Sequence, residues 1–121
     1  MDDSKKKIGE LGEEEARKFL EKNNYKILDR NFRTRFGEID IVALDKETDE
    51  IVFVEVKTRA SADFGLPEEF VNYKKQQKIK RAAFTYLAEN KTYKNWRIDV
   101  VSVILDESGV KDIRIIKNIT Q

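Results

Sequence analysis

Two apolar segments separated by a polar turn constrain the fold of this chain more than any other feature. Residues 37–44 read Gly-Glu-Ile-Asp-Ile-Val-Ala-Leu, residues 51–57 read Ile-Val-Phe-Val-Glu-Val-Lys, and the polar stretch 45–50 lies between them. Runs of β-branched and aromatic residues bounded by turn residues are typical of strands. The pair therefore predicts a β-hairpin, and the rest of the chain is expected to cover its apolar surface.

Helices and further strands are predicted on both sides of this hairpin. Apolar residues at helical spacing predict helices over residues 5–23 and 67–90, the second beginning at Pro67. The remaining predicted elements are strands at 25–32, 96–105 and 110–119, a loop at 59–66 and a turn at 106–109. The order α-β-β-β-α-β-β predicts a single α/β domain over residues 1–121, with a mixed β-sheet and flanking helices.

The composition excludes several classes of functional site. The chain contains no cysteine and no histidine, so disulfides, thiol nucleophiles, zinc ribbons and histidine-based catalytic sites are ruled out. Enzymatic chemistry would have to depend on carboxylates, lysines, hydroxyls or a bound ion. Carboxylates alone select a hard cation such as Mg²⁺, Mn²⁺ or Ca²⁺.

No segment of the sequence predicts a membrane span. The longest uninterrupted apolar run, residues 51–54, is far shorter than the roughly 20 residues that a spanning helix needs. The charged N-terminus has no apolar stretch of the kind found in signal peptides. We therefore expect a soluble, cytoplasmic protein without a membrane partner.

The length of the predicted turn sets the register of the hairpin. A six-residue loop places Leu44 opposite Ile51, so one face is the expected core, formed by Ile39, Ile41, Ala43, Val52, Val54 and Val56. On the other face, the same register predicts the cross-strand pairs Asp40 with Glu55 and Glu38 with Lys57. Two carboxylates at cross-strand distance repel unless one is protonated or a cation lies between them.

These polar side chains suit a divalent ion. Asp40 and Glu55 could each give one oxygen to Mg²⁺ or Mn²⁺, leaving other positions for water and substrate. Lys57 could position that water or neutralise charge on a phosphate. Glu13, on the apolar side of the first helix, could add a third carboxylate, and Glu38 an alternate ligand.

The same pattern has a plainer interpretation. Glu38 and Lys57 could form an ordinary cross-strand ion pair, while Asp40 and Glu55 are solvated. Acidic pairs on hairpins are common, so the spacing by itself favours this second interpretation.

The charge distribution adds independent information. Residues 36–70 carry three basic and ten acidic residues, whereas residues 71–97 carry eight basic and one acidic, in a chain of net charge +1. A basic stripe beside an acidic pocket could bind a phosphate backbone and present one phosphodiester to the ion, although any single lysine is explained as well by a solvated helix face. The candidate nucleic-acid-binding residues are Lys74, Lys75, Lys78 and Arg81, and the block also contains Lys80, Lys91, Lys94 and Arg97.

Three further residues are candidates for accessory roles. Gln76 lies on the apolar side of the second helix, where it either bonds backbone groups or reaches the pocket. Arg59 follows Lys57 in the predicted loop and could contact phosphate. Phe64 could stack on a base, although packing is the commoner role.

The motif Asp40…Glu55-Val56-Lys57 resembles that of the PD-(D/E)xK nucleases, with Ile39 at the position of their proline. A wider resemblance is to the YraN-like family of small bacterial proteins, related to archaeal Holliday-junction resolvases. It covers residues 9–16, 30–33, 37–40, 53–59, 64–65, 75–76 and 97–100. The resemblance implies a restriction-endonuclease-like fold and a nuclease site formed by Glu13, Asp40, Glu55 and Lys57, with Gln76 as an accessory.

Three functions compete at this point. The first is a nuclease dependent on Mg²⁺ or Mn²⁺ that cleaves DNA, including branched DNA. The second is a nucleic-acid-binding module of the same fold without catalysis. The third is a protein-interaction or homodimer scaffold that uses exposed sheet edges.

Overall fold

The computed structural model describes residues 3–60 and 72–119, which form a five-stranded β-sheet and two helices. The predicted order of elements is confirmed. The helices are α1 (Asp3–Lys22) and α2 (Tyr73–Glu89), and the strands are β1 (Tyr25–Thr34), β2 (Gly37–Asp45), β3 (Glu50–Ala60), β4 (Trp96–Asp106) and β5 (Gly109–Ile116).

The strands lie in the sheet in chain order, and β3 is at its centre. Only the pairing of β3 with β4 is parallel, and α2 lies in the connection between these two strands. The other three pairings are antiparallel. The predicted hairpin register is confirmed from Asp45–Glu50 to Ile41–Val54.

Each face of the sheet packs against one helix. Ala16 and Leu20 of α1 pack with one set of strand side chains, which includes Val52, Val54 and Val101. Ile79, Ala82, Ala83 and Tyr86 of α2 pack with the other set, which includes Phe53, Ile98 and Val100. Both faces are therefore apolar over most of the sheet, and the polar face that the hairpin predicted is confined to one end of β2 and β3.

The ends of most elements differ from the prediction by one or more residues, and three of these differences are informative. β3 continues through Arg59 to Ala60, because β4 pairs with it as far as Ala60–Leu105. The described part of α2 begins at Tyr73, where the side chain of Asn72 caps the helix by accepting from the backbone N–H of Lys75. The predicted start at Pro67, and Phe64 in the predicted loop, lie outside the described residues. β5 ends at Ile116, three residues earlier than predicted.

The prediction that Ile39 shares a face with Ile41 is wrong. Ile41 packs on the α1 side, whereas Ile39 and its β1 partner Phe32 pack on the α2 side. Two residues that are two positions apart normally share a face of a strand. The change of face coincides with Asn31, whose φ of 52° is left-handed, a conformation that asparagine tolerates better than most residues. This irregularity lies beside the predicted site.

Helix α1 approaches β3 closely at Gly12. A Cβ atom added at Gly12 would lie 1.8 Å from Oγ1 of Thr58, so only glycine allows this approach. Thr58 is the neighbour of Lys57, so the contact brings the N-terminal half of α1 to the site. Across residues 3–60 and 72–119, neither helix combines the length and the apolar character that crossing a membrane requires.

Candidate active site

The site is centred on Asp40, at the point where the pairing of β2 with β3 ends. The regular pairing stops at Ile41–Val54. Beyond it, Oδ2 of Asp40 accepts a hydrogen bond of 2.8 Å from the backbone N–H of Val56. A side-chain carboxylate thus replaces a backbone carbonyl between the strands, and the predicted cross-strand pair of Asp40 with Glu55 is not part of a regular ladder.

The surroundings of the Asp40 carboxyl group disfavour its charged form and raise its pKa. Burial raises its pKa from 3.8 to about 7, and the negative charges of Glu55 and Glu13 add to this effect. The hydrogen bond from Val56 and the positive charge of Lys75 oppose it without offsetting it. Asp40 is therefore partly protonated near neutral pH, and a cation placed beside it would favour the charged form.

Glu55 is buried between two lysines. Its Oε1 lies 2.6 Å from Nζ of Lys75 and 3.4 Å from Nζ of Lys57. Burial and the hydrogen bond to Lys75 lower the pKa of Lys57. Burial acts in the same direction on Lys75, but its hydrogen bonds with Glu55 and Lys57 outweigh burial and raise its pKa. The two amines therefore differ: Lys75 holds its proton, and Lys57 gives its proton up more easily.

Glu13 completes the acidic cluster from α1. Burial and the charge of Glu38 raise its pKa, while Arg30 acts to lower it. Glu13 lines a cleft of about 520 Å³ together with Asp40, Glu55 and Lys57, and Arg59 lies on the same wall. We call these five residues the carboxylate cleft. All four residues of the predicted nuclease site, and the accessory Arg59, are thus brought together.

Glu38 lies at the edge of the cleft, and its predicted ion pair with Lys57 is wrong. Its carboxylate lies 3.7 Å from Nε of Arg33 on β1 instead, because β2 no longer pairs regularly with β3 at this position. When the amide of Asn31 is oriented with its nitrogen toward the acids, it donates to Glu38 at 3.0 Å and to Glu13 at 3.1 Å.

Sequence reasoning assigned no role to Asn31. The only signal was the residue type, because asparagine tolerates a left-handed backbone better than most residues. What could not be read from the sequence is that this backbone turns the amide toward carboxylates from two other elements.

The basic block divides into structural and surface residues. Arg97 is buried, so the interpretation of this residue as part of a basic stripe is wrong. Lys94 stays on the surface, where it is paired with Asp49. Lys75 belongs to the cluster around Glu55. The other three predicted nucleic-acid-binding residues are exposed on α2: Lys74, Lys78 and Arg81. Gln76 is half-buried in the first turns of the same helix.

The donor chemistry of the carboxylate cleft fits a hard divalent cation. Asp40, Glu55 and Glu13 offer only oxygen atoms, the donors that Mg²⁺ and Mn²⁺ prefer. In the described ranges, no three acidic side chains already form a group that could hold a metal ion. One or two protein carboxylates with water in the other positions is, however, the usual arrangement for Mg²⁺.

Comparison with known proteins identifies the family. A UPF0102 protein of Alkaliphilus oremlandii is 51% identical over 109 residues, which cover 88% of this chain and 92% of that protein. UPF0102 proteins of Caldicellulosiruptor saccharolyticus and Clostridium acetobutylicum are 48% and 47% identical, each over 118 residues, covering 95% and 96% of this chain and 98% and 95% of the relatives. The sequence profile described as "Uncharacterised protein family UPF0102" matches residues 12–103. The YraN-like resemblance is thereby confirmed, and the chain belongs to the UPF0102 family.

Proposed function

We propose that this protein is a nuclease that uses Mg²⁺ or Mn²⁺ to hydrolyse phosphodiester bonds in DNA. The observation that supports it best is the carboxyl group of Asp40. Burial and the neighbouring acids raise its pKa to about 7, beside a lysine whose pKa is lowered. Strongly perturbed groups collected in one cleft are characteristic of catalytic sites. The proposal includes membership of the PD-(D/E)xK superfamily, whose motif Asp40, Glu55 and Lys57 match.

The residues of the carboxylate cleft have different roles in this proposal. Asp40 and Glu55 would hold the ion, with Glu13 as a further carboxylate. When bound, such an ion supplies a polarised phosphoryl oxygen and a more acidic water. Lys57, 3.4 Å from Glu55, would orient the attacking water, and burial, which lowers the pKa of its amine, makes it a better proton acceptor than an ordinary lysine.

Lys75, predicted as a nucleic-acid-binding residue, has a second role that the sequence did not indicate. Its ammonium lies 2.6 Å from Glu55 and supplies the positive charge that the acids need before an ion binds. On α2, it also stands between the carboxylate cleft and the exposed bases Lys74 and Lys78. Once an ion takes over the neutralisation of Glu55, Lys75 can turn its charge to a phosphate of the substrate.

Cleavage of labelled DNA tests this function. Purified protein with Mn²⁺ is incubated with duplex, single-stranded and four-way-junction DNA, beside the Glu55→Gln variant. We expect the variant to lose activity by at least about a hundredfold, because it removes an anionic ligand without changing shape. Glu47→Gln, which neutralises an exposed acid of the β2–β3 turn, serves as the matched control and should cleave like the natural protein. Equal cleavage by all three proteins would indicate a contaminating nuclease and refute the proposal.

A second candidate is a nucleic-acid-binding module without catalysis. The contact between Lys75 and Glu55 favours it, because the ammonium already neutralises a buried carboxylate of the cleft. Binding that weakens with salt, combined with no cleavage in Mg²⁺ or Mn²⁺ and no change in thermal stability on adding either ion, would support this module over the nuclease.

A further inference from the structure

A second surface feature lies at the tip of the β1–β2 turn, against the first half of α2. Thr34 closes this turn: its Oγ1 accepts from the backbone N–H groups of Phe36 and Gly37 and donates to the carbonyl of Gly37. The tip residues Arg35 and Phe36 face α2 across a groove of about 470 Å³. We call this the turn groove, and it is lined by Arg35, Phe36, Tyr73, Lys74, Gln77, Lys78 and Arg81.

Among the residues that the structure describes, none compensates the charge of the turn groove. Four of its seven lining residues are cationic and none is acidic. None of these four forms a salt bridge with any residue in the described part of the chain. Elsewhere the chain pairs the buried Arg97 and the half-buried Lys75 closely with acids. An anionic ligand is therefore the occupant that the turn groove suits.

Aromatic surface accompanies this charge. The guanidinium of Arg35 lies 4.8 Å from the ring centroid of Phe36, and that of Arg81 lies 5.4 Å from it. The side chain of Tyr73 is 76% exposed at the start of α2. Aromatic rings and guanidinium planes both stack on nucleobases, so the groove offers stacking surfaces as well as charge.

Basic side chains connect the turn groove with the carboxylate cleft. Lys74 and Lys78 also line an adjoining groove of about 370 Å³, which contains Glu38 and Lys75. Lys75 contacts Glu55, so a row of cations leads from the turn groove to the acids. A polyanion that follows these cations would reach the cleft.

We propose that the turn groove binds an unpaired nucleotide of a DNA strand whose backbone continues to the carboxylate cleft. Within a duplex, the faces of each base are covered by its neighbours, so exposed stacking surfaces are useful only for a base that has left the stack. This inference rests on the proposed function, because the strand held here is the one presented to Asp40 and Glu55. It assigns the substrate to DNA with an unpaired segment, such as a fork or a flap.

Binding without cleavage tests this inference. Fluorescence anisotropy is measured in EDTA on a labelled single strand, a duplex and a forked duplex of the same sequence. The natural protein is expected to bind the single strand and the fork more tightly than the duplex. The Tyr73→Leu variant should bind the single strand about tenfold more weakly, as loss of one stacked base predicts, whereas its duplex affinity should change less than twofold.

Matched variants separate stacking from general effects. Tyr73→Phe keeps the ring and should bind like the natural protein. Tyr93→Leu removes a tyrosine that is 97% exposed but lies outside the groove, and it should have no effect. Lys78→Gln should weaken all three complexes and reduce their salt dependence, whereas Lys111→Gln on β5 should not.

The outcomes distinguish the two proposals. Failure of the natural protein to bind any of the three DNAs at low salt overturns both. If Tyr73→Leu and Tyr93→Leu bind the single strand with equal affinity, the turn groove is not a site for unpaired bases. A preference of the natural protein for the duplex would overturn the inference in the same way. The cleavage assay with Glu55→Gln then judges the nuclease separately.

Discussion

Two clusters of buried charge lie at opposite ends of the β2–β3 pair and differ in how the acids are neutralised. At the turn end, Asp45 and Glu50 meet Arg97 and Asp99 of β4, a set that we call the arginine cluster. At the other end lies the carboxylate cleft. Each cluster collects three acids, but only the first surrounds a cation that these acids hold in place.

The arginine cluster is saturated with hydrogen bonds. Arg97 donates to Asp45 at 2.8 Å, to Glu50 at 2.7 Å and to Asp99 at 3.1 Å. It also donates to the hydroxyl of Tyr25 at 3.0 Å, and Asp99 accepts from the backbone N–H of Asn118. A guanidinium with five donors can satisfy several acceptors in one plane, so this cluster has no capacity left for a ligand.

Within the arginine cluster, the extent of burial decides whether the pKa of an acid is raised or lowered. Asp45 is buried, but its hydrogen bonds from Arg97 and from the backbone outweigh burial and lower its pKa. For Asp99, which is completely buried, burial outweighs the same kind of bonds and raises its pKa.

The difference teaches how to separate a structural cluster from a functional one. A permanent arginine compensates its acids, whereas the carboxylate cleft relies on lysines that can move or lose a proton. The raised pKa of Asp40 therefore distinguishes the carboxylate cleft from the arginine cluster, and it supports the proposal that the cleft binds a divalent cation.

Breaking the arginine cluster should have the largest effect on stability. Arg97→Leu leaves Asp45 and Asp99 buried without their partner, which is expected to cost about 3–5 kcal/mol of unfolding free energy. Urea denaturation followed by circular dichroism measures the loss. Arg114→Leu, which removes an exposed partner of Asp112, is the control and should cost less than about 1 kcal/mol. Similar losses in both variants would contradict the structural role of Arg97.

Displacing α1 from β3 should have the next largest effect on stability. Gly12→Ala forces a Cβ into Thr58 and is expected to cost about 1–3 kcal/mol, together with activity, because Glu13 and Lys57 separate. Gly9→Ala, on the same helix, meets no atom within 4 Å and should stabilise the protein by up to about 1 kcal/mol. Thermal unfolding of both variants checks the contrast, and equal melting temperatures would refute the close approach.

The pH dependence of stability sharpens the comparison further. The pKa of Asp40 is about 7 in the folded protein, against 3.8 for an ordinary carboxyl. Its contribution to stability is therefore full below about pH 4 and is lost as the pH rises toward 7. The free energy of unfolding of Asp40→Asn should equal that of the natural protein near pH 4. Above pH 7 it should be about 1–2 kcal/mol higher, measured without divalent ions.

Adding Mn²⁺ should reverse this difference. The ion stabilises only a protein that binds it, so the melting temperature of the natural protein should rise while that of Asp40→Asn stays constant. If Asp40→Asn were less stable than the natural protein at pH 8 without metal, the raised pKa of Asp40 would be contradicted.

The smallest expected effect concerns Lys75, whose ammonium would be replaced at Glu55 by a bound metal ion. Lys75→Gln removes the ammonium from Glu55 and should increase the affinity for Mn²⁺ severalfold, because a competing positive charge is gone. Titration calorimetry compares it with Lys78→Gln, which lies outside the contact with Glu55 and should bind the ion slightly or no better. Weaker binding by Lys75→Gln alone would show that Lys75 supports the ion instead of competing with it.

Much of the fold was predictable because it depends on local pattern. The helix at α1, the order of elements and the register of the hairpin all follow from periodicity and turn length. The errors lie where pairing between distant segments decides. β3 extends to Ala60 because β4 pairs with it, and Ile39 changes face beside the left-handed Asn31.

By itself, the sequence determined which residue types could carry chemistry: without histidine or cysteine, carboxylates and lysines had to suffice, and the resemblance to a nuclease motif selected Asp40, Glu55 and Lys57. Only the tertiary structure decided which charges are compensated. Arg97 and Lys75 both belong to one basic segment, yet the first is enclosed by acids from two other strands and the second contacts Glu55. Charge compensation depends on distances between side chains that are far apart in the chain, and packing alone sets those distances.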